Sequence, residues 1–189
     1  MNIVIIQYNA GNIQSVLYAL ERLGVQAMVT DNVELIQKAD KVIFPGVGEA
    51  STAMHYLKER GLDSVIQNLK QPVFGICLGM QLMCAYSEEN NTSCLGIFEE
   101  QVKLFKPTDS STKVPQIGWN TIGSLKTNLF KGVSEESYAY FLHGYYAALG
   151  AHTIASSNYI QPYSAALHKY NFYGVQFHPE KSAKLGEQI

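Results

Sequence analysis

Apolar residues in the first half of the chain recur with two periods, one typical of strands and one typical of helices. The predicted strands are residues 2–7, 25–30, 41–44 and 73–76. The predicted helices are residues 12–23, 50–60 and 78–86, the first two of them ended by Gly24 and Gly61. Strands that alternate with helices predict an α/β fold, in which helices cover both faces of a mostly parallel sheet.

The second half of the chain has a different pattern. Between residues 101 and 173 the apolar runs are short, rich in tyrosine and β-branched residues, and interrupted by Gly, Asn and Ser. This pattern predicts antiparallel strands added to the parallel core. No linker or repeat separates the two halves, so we expect residues 1–189 to form one domain. The helical pattern after Ser182 is short, as in a chain that has been trimmed.

Composition narrows the possible functions. Hydrophobic residues make up 47% of the 189 residues, enough for a buried core, and 14 basic against 16 acidic side chains give a net charge of −2. Such a balance argues against nucleic-acid binding, which usually needs a basic surface. The apolar run at the N-terminus is too short for a signal peptide or a membrane span, so we expect a soluble, cytoplasmic protein without membrane contact.

Three cysteines stand at positions 77, 84 and 94 without a Cys-x-x-Cys pair, and the five histidines show no spacing typical of metal ligands. A disulfide framework or a metal site is therefore not expected. A cytosolic enzyme with a single reactive thiol fits this cysteine usage better.

The first candidate for that thiol is Cys77, in the run Gly75-Ile-Cys-Leu-Gly79. A predicted strand enters this run and a predicted helix leaves it, as in the elbows that carry catalytic nucleophiles. The glycines leave room for a tight turn, and the start of the helix favours a thiolate. The backbone N–H of Leu78 would face a developing oxyanion. Taken alone, such a run is more often a buried cysteine packed between glycines.

A second run, Gly174-Val-Gln-Phe-His-Pro-Glu180, contains an imidazole two residues before a carboxylate. Pro179 favours an extended conformation at His178, and residues two apart on an extended chain face the same side. His178 and Glu180 are thus placed as a base and the group that orients it, the second and third members of a catalytic triad. A surface turn with these residues by chance is the alternative for this run alone.

A third run, Pro45-Gly-Val-Gly48, directly follows the predicted strand 41–44. Its glycines let backbone N–H groups approach a ligand, so Gly46, Val47 and Gly48 are candidates for a second oxyanion donor. A plain turn from strand to helix is the alternative. No Gly-x-Gly-x-x-Gly run is completed here, and residues 9–12 make a still poorer nucleotide loop, so we expect no nucleotide cofactor.

Together the three runs supply a nucleophile, a base, an orienting carboxylate and an oxyanion hole at strand ends, where α/β folds gather their sites. The runs that resemble the class I, or triad, glutamine amidotransferases are Pro45–Gly48, Gly75–Gln81 and Val175–Ser182. Three further segments resemble, more narrowly, the glutaminase subunits of imidazole glycerol phosphate synthase: Tyr8–Asn12, Val114–Asn120 and Tyr140–Tyr145. The resemblance covers nearly the whole chain and implies a flavodoxin-like fold.

The resemblance implies a role for each matching residue. Cys77 attacks the side-chain amide of glutamine, His178 passes the thiol proton to the leaving ammonia, and Glu180 orients His178. Backbone N–H groups of Leu78 and of the Gly46–Gly48 loop bind the oxyanion. The residues implied to bind the rest of the substrate are Gln81, Glu89, His143, Gly144 and Tyr145.

The resemblance also implies a partner. Ammonia passes into the (β/α)₈ barrel of the HisF cyclase subunit, which makes imidazole glycerol phosphate and aminoimidazole carboxamide ribotide in histidine biosynthesis. The chain has room for a glutaminase but for no acceptor-binding domain, which agrees with a heterodimer. Asn12, Trp119 and Lys181 match interface residues near the ammonia exit. Otherwise Trp119 would be a core residue and Lys181 a solvated charge.

Three positions depart from the pattern of the family. Gln7 and Gln116 stand where other residues are common, and Gly144 stands where Ser or Thr is usual. The last change removes a hydroxyl from the segment implied to hold glutamine but leaves its backbone groups in place.

Three other functions fit parts of the pattern. A related glutaminase could feed ammonia to another synthetase, for example one that amidates a sugar, and the neighbouring genes would distinguish the two. A free-standing cysteine hydrolase acting on γ-glutamyl compounds would turn over without a partner. A silent binding module would not need the complete set of Cys77, His178 and Glu180.

Overall fold

Strands and helices alternate up to residue 83, and β-structure dominates after it. The computed structural model describes residues 1–9, 12–109 and 111–189. The strands are β1 (Ile3–Ile6), β2 (Ala27–Thr30), β3 (Lys41–Phe44), β4 (Val73–Ile76), β5 (Tyr86–Ser87), β6 (Thr92–Ser93), β7 (Gln101–Leu104), β8 (Gln116–Ile122), β9 (Ser137–His143), β10 (Tyr145–Ala147), β11 (Thr153–Asn158), β12 (Pro162–Lys169) and β13 (Phe172–Val175). The helices are α1 (Ile13–Arg22), α2 (Val33–Lys38), α3 (Ala50–Glu59), α4 (Leu62–Asn68), α5 (Leu78–Met83) and α6 (Ala183–Gln188), with 3-10 turns at Glu89–Asn91, Asn128–Phe130 and Pro179–Lys181.

A seven-stranded sheet lies at the centre, in the order β11-β12-β13-β4-β3-β1-β2. The five strands from β13 to β2 run parallel, and β12 and β11 extend the sheet antiparallel. Strand β1 is buried along its whole length, as expected for a parallel strand that is covered on both faces. The predicted mostly parallel α/β sheet is confirmed.

Helices cover both faces of this sheet because each presents an apolar stripe to it. Helices α2, α3, α4 and α5 pack on one face, with side chains such as Ile36, Leu57 and Ile66 in the core. Helices α1 and α6 pack on the other face through Val16 and Leu185, together with the β8–β9 ribbon. None of the helices that the structure describes is both long and apolar enough to span a membrane.

The second half departs in part from the prediction. Only β11 and β12 join the main sheet as antiparallel strands, whereas β13 joins it parallel to β4. Strands β8 and β9 form a separate ribbon, and β7 and β10 join β5 and β6 in a four-stranded sheet. An alternating pattern specifies which face of a strand is buried but not which strand it pairs with, so the sequence left this open.

Local boundaries also differ from the prediction. The short helices α2 and α4 were not predicted, because six or seven residues give too few repeats of the helical period. The helix predicted over 78–86 ends at Met83, because Cys84 is extended and Tyr86 pairs in β5. The strand predicted over 25–30 begins at Ala27.

Candidate active site

Cys77 occupies the turn between β4 and α5. Its backbone has φ 52° and ψ −109°, a conformation that costs a residue with a side chain roughly 1–3 kcal/mol and is typical of a nucleophile elbow. Two backbone hydrogen bonds stabilise the turn: the Cys77 N–H donates to the Val175 carbonyl at 2.8 Å, and the Cys77 carbonyl accepts from the Gln81 N–H at 3.1 Å. The side chain is buried.

The glycines on either side of Cys77 are required by the packing. A Cβ at Gly75 would lie 2.4 Å from the terminal methyl of Met83, and a Cβ at Gly79 would lie 1.8 Å from the Phe44 carbonyl oxygen. Helix α5 therefore begins directly against the end of β3, and only glycine fits at this approach. The tight turn predicted from the two glycines is confirmed.

His178 and Glu180 meet as a buried pair. His178 Nδ1 lies 2.7 Å from Glu180 Oε1, and the two side chains are 2% and 3% exposed. An extended backbone was predicted to place His178 and Glu180 on the same side of the chain. This prediction was wrong, because the backbone is not extended through both residues. Strand β13 ends at Val175, and the 3-10 turn at Pro179–Lys181 brings Glu180 to His178. His178 itself is extended, as a residue before proline should be.

Electrostatics join this pair to the thiol. Burial lowers the pKa of His178, but the Cys77 side chain and the Glu180 carboxylate outweigh burial and raise that pKa to about 10. His178 Nε2 is buried and makes no hydrogen bond within the described part of the chain, so it is the ring atom left to exchange a proton. The structure thus brings together the three residues predicted as a triad.

The backbone N–H predicted to bind the oxyanion already donates a hydrogen bond to another group of the chain. The Leu78 N–H donates to the Gly46 carbonyl at 3.2 Å, so it does not point into an open hole in this conformation. The loop is fixed by Tyr8, whose hydroxyl donates to the Pro45 carbonyl at 2.6 Å. Burial and the nearby Cys77 raise the pKa of Tyr8, which therefore stays a protonated donor.

Cys77 borders a cavity of about 190 Å³. The residues that line it are Val47, Gly48, Cys77, Leu78, Gln81, Glu89, Leu142, His143, Gly144 and Tyr145. All five residues predicted to bind the substrate are among them. The volume is below the roughly 300–1,000 Å³ of pockets for drug-sized ligands and suits a molecule the size of an amino acid.

A larger cavity of about 430 Å³ lies between α1 and α6. Its lining is mostly apolar, and of the predicted site residues it contains only Glu180. Because Cys77 and all five predicted substrate-binding residues line the smaller cavity, we assign the candidate active site there.

Among the ionisable side chains of the site cavity, Glu89 and His143 have shifted pKa values that bear on ligand binding. Burial raises the pKa of Glu89, opposed by a hydrogen bond of 2.8 Å from the Ala50 N–H to its Oε2. Burial lowers the pKa of His143 to about 4, so this ring is neutral at neutral pH. His143 Nδ1 lies 2.7 Å from the Tyr145 carbonyl and must carry the ring hydrogen to bond there.

Comparison with known proteins gives the family. Residues 4–188 match the family described as "Glutamine amidotransferase class-I". The chain belongs to the class-I glutamine amidotransferases.

Two relatives of this amidotransferase carry the same name. The "Imidazole glycerol phosphate synthase subunit HisH" of Bacteroides fragilis is 59% identical over 189 residues, which cover 100% of this chain and 96% of the relative. The protein of the same name from Pasteurella multocida is 46% identical over 186 residues, which cover 98% of this chain and 93% of the relative.

Solved structures share the fold of the amidotransferase. A putative GMP synthase protein from Thermoplasma acidophilum matches with a TM-score of 0.75 at 19% identity, covering 100% of this chain and 89% of that one. A glutamine amidotransferase from Thermotoga maritima matches with a TM-score of 0.66 at 17% identity, covering 100% and 80%. At these identities the likeness concerns the fold alone.

The residues predicted at a partner interface lie on the surface of the amidotransferase. Trp119 is 53% exposed on β8 and packs edge-on against Tyr140, with ring centroids 5.9 Å apart, so it is not a core residue. Lys181 Nζ lies 5.8 Å from the centroid of the same Tyr140 ring. Asn12 precedes α1 without a capping hydrogen bond from its side chain. Ala10 and Gly11 of the same segment lie outside the described residues.

One cluster outside the cavity has the chemistry of metal ligands. The ligand atoms of Glu99, Glu100 and His152 all lie within 4.8 Å of one another. His152 Nδ1 is 2.9 Å from Glu99 and 3.1 Å from Glu100, and Lys169 Nζ is 2.5 Å from Glu99. These contacts pair the group internally, and we assign no metal to it.

Sequence reasoning missed two residues that touch the site of the amidotransferase. Tyr8 anchors the Pro45–Gly48 loop, and Gln176 places its amide nitrogen 3.7 Å from Cys77 Sγ. The sequence signal for Gln176 is its position as a polar residue between the apolar residues Val175 and Phe177. The structure shows that Gln176 is fully buried. Such a residue needs a partner in the interior.

Proposed function

We propose that this chain is the glutaminase subunit of imidazole glycerol phosphate synthase, which hydrolyses L-glutamine to glutamate and ammonia and passes the ammonia to the HisF cyclase subunit. The observation that carries the proposal is the convergence of Cys77, His178 and Glu180 beside a cavity the size of one amino acid. The names of the relatives support it.

The reaction begins from the Cys77 thiolate beside protonated His178, whose raised pKa of about 10 keeps the proton on the ring. The sulfur attacks the side-chain amide carbon of glutamine, and the carbonyl electron pair moves to oxygen. Collapse of this intermediate breaks the C–N bond while His178 protonates the leaving nitrogen, so ammonia departs and a γ-glutamyl thioester remains. Water gives a proton to His178 and adds to the thioester carbonyl, and collapse of this intermediate breaks the C–S bond, which releases glutamate and returns the Cys77 thiolate beside protonated His178. Glu180 keeps the His178 Nδ1–H oriented throughout.

A rearrangement of the Pro45–Gly48 loop precedes the chemistry. The oxyanion needs the Leu78 N–H, which the Gly46 carbonyl occupies. Rotation of the peptide between Gly46 and Val47 moves that carbonyl away and turns the Val47 N–H toward the oxyanion. Glycine permits the rotation because it accepts backbone angles that other residues disfavour.

The remaining groups of the cavity hold the rest of the substrate. The Glu89 carboxylate attracts the α-ammonium group of glutamine. Gln81 and the His143–Tyr145 segment supply polar groups around the amino-acid head, where Gly144 contributes backbone contacts only.

The ammonia requires a docked partner. Ammonia released to water at neutral pH is protonated and lost as a nucleophile. The exposed ring of Trp119 and the Lys181 side chain, which both approach Tyr140, form with the expected contact residue Asn12 the surface on which the HisF barrel docks. The three free thiols of the chain suit the cytoplasm, where the two subunits meet.

Substitution of the nucleophile tests the proposal. Cys77→Ala, assembled with HisF, should lose glutamine-dependent synthesis of imidazole glycerol phosphate and keep synthesis from added ammonium salt. Cys94→Ser, which changes a partly buried thiol outside the cavity, is the matched control and should keep both activities. Glutamine-dependent synthesis by Cys77→Ala would refute the nucleophile, and loss of both activities would refute the separation of the two sites.

A further inference from the structure

The side-chain amide of Gln176 contacts the nucleophile. Gln176 directly follows β13, is fully buried, and its backbone N–H donates to the Ala165 carbonyl at 2.8 Å. Its Nε2 lies 3.7 Å from Cys77 Sγ, within hydrogen-bond distance for sulfur. The contact joins two residues 99 positions apart in the chain.

The hydrogen-bond network fixes which end of this amide faces the sulfur. The Tyr145 carbonyl can only accept, so the nitrogen of Gln81, 2.9 Å away, must face it. The second hydrogen of that nitrogen is directed to the Gln176 amide at 3.0 Å, which must therefore present its oxygen. The Gln176 nitrogen is left to face Cys77. The orientation of the Gln176 amide is thus determined by the Tyr145 carbonyl, which is two hydrogen bonds away through Gln81.

We propose that Gln176 is a positioning residue that donates a hydrogen bond to the Cys77 thiolate; this inference rests on the proposed role of Cys77 as the nucleophile. Cys77 Sγ has one hydrogen-bond partner suited to its protonated form and another suited to its ionised form. Its S–H reaches the Leu142 carbonyl at 3.8 Å, an acceptor that serves the thiol only. The Gln176 donor serves the thiolate, because a hydrogen bond to an ionised acceptor is stronger than one to a neutral acceptor.

The network also links the thiolate to the substrate cavity. Gln81 lines that cavity, and both hydrogens of its amide are used by the Tyr145 carbonyl and Gln176. A ligand that moves Gln81 must therefore change the hydrogen bond that Gln176 makes with Cys77. Substrate binding and the state of the nucleophile are coupled through these two amides.

Alkylation of Cys77 by iodoacetamide, followed against pH in the intact chain, tests the proposal. Mass spectrometry of the peptide that contains Cys77 separates its reaction from that of Cys84 and Cys94. Gln176→Leu removes the donor at similar size and should raise the pH midpoint of alkylation by about one unit. Gln176→Glu keeps an acceptor for Gln81 but turns an oxygen toward the sulfur, and should raise the midpoint further.

Gln116→Leu is the matched control, because Gln116 is a buried glutamine whose Oε1 accepts from the Tyr163 hydroxyl at 3.1 Å. Its alkylation midpoint should equal that of the wild type. Unchanged midpoints in folded Gln176→Leu and Gln176→Glu would overturn the proposal. Glutamine hydrolysis by the wild type assembled with HisF and its acceptor ligand is measured separately: its absence would reject the proposed function and leave the alkylation result intact.

Discussion

The backbone N–H of Leu78 donates to the Gly46 carbonyl at 3.2 Å, which places a carbonyl against the proposed oxyanion donor. In the same structure His178 is paired with Glu180, and Cys77 contributes to raising the pKa of His178. Loss of one oxyanion donor typically lowers kcat by about 10²–10³. A chain with a complete triad and an occupied oxyanion donor should therefore be slow until its loop rearranges.

Packing around Gly46 should make this position intolerant of a side chain. A Cβ there would lie 2.3 Å from the Tyr8 hydroxyl and 2.9 Å from the Gly79 nitrogen. Gly46→Ala should lower the free energy of unfolding by about 1–3 kcal/mol, measured by urea denaturation, and reduce glutamine hydrolysis. At Gly144 a Cβ would meet Val114 at 3.6 Å, an ordinary contact, so Gly144→Ala should change stability by only about 0.5 kcal/mol. Equal losses would contradict this packing argument.

Stability should depend on pH through His178. Its pKa in the folded chain, about 10, exceeds the ordinary value of 6.5. Protonated His178 therefore stabilises the fold fully below about pH 6.5, and this contribution is lost as the pH rises through 10. Glu180→Gln removes one cause of the shift, so it should destabilise the chain most near pH 6.5 and progressively less toward pH 10.

Urea denaturation between pH 6 and 10 measures this difference. Glu187→Gln, at an exposed carboxylate on α6, should track the wild type at every pH. A deficit of Glu180→Gln that stays constant up to pH 10 would mean that the His178–Glu180 pair does not raise the pKa of His178.

His143 should have the opposite effect on acid stability. Burial lowers its pKa to about 4, below the ordinary value of 6.5, so the contribution of the neutral ring is full above pH 6.5 and is lost as the pH falls toward 4. His143→Gln cannot gain this buried charge, and its unfolding free energy should fall less than that of the wild type between pH 6.5 and 4. His55→Gln, at an exposed ring, is the control. Parallel pH profiles for wild type and His143→Gln would contradict the assignment.

Replacing Gly144 by serine restores the hydroxyl that is usual in the family at this position. A Cβ there would lie 3.6 Å from Val114 and 3.8 Å from Pro115, so a serine fits without displacement. Gly144→Ser should leave the free energy of unfolding within about 0.5 kcal/mol of the wild type and lower the KM for glutamine, because it restores a hydroxyl to the cavity. An unchanged KM with unchanged stability would show that the backbone alone determines binding at this segment.

The sequence predicted what is local and left open what depends on distant partners. Cys77 was found because the glycines of its run specify a tight turn, and His178 and Glu180 were found from their spacing, although the 3-10 turn that joins them was not predicted. The Leu78–Gly46 hydrogen bond and the contact of Gln81 with Gln176 join residues that only the tertiary fold brings together. The partners of β7 to β10 were open for the same reason, since alternation specifies a buried face and not a neighbouring strand.

Glutamate release from L-glutamine, measured for this chain alone and with HisF plus its acceptor ligand, tests the central claim most directly. We predict slow hydrolysis by the isolated chain, because the Leu78 N–H is occupied and the exposed surface around Trp119 lacks its partner. The assembled complex should be faster by about 10²–10³, the effect of recovering one oxyanion donor. Full activity of the isolated chain, with no stimulation by HisF, would contradict the account.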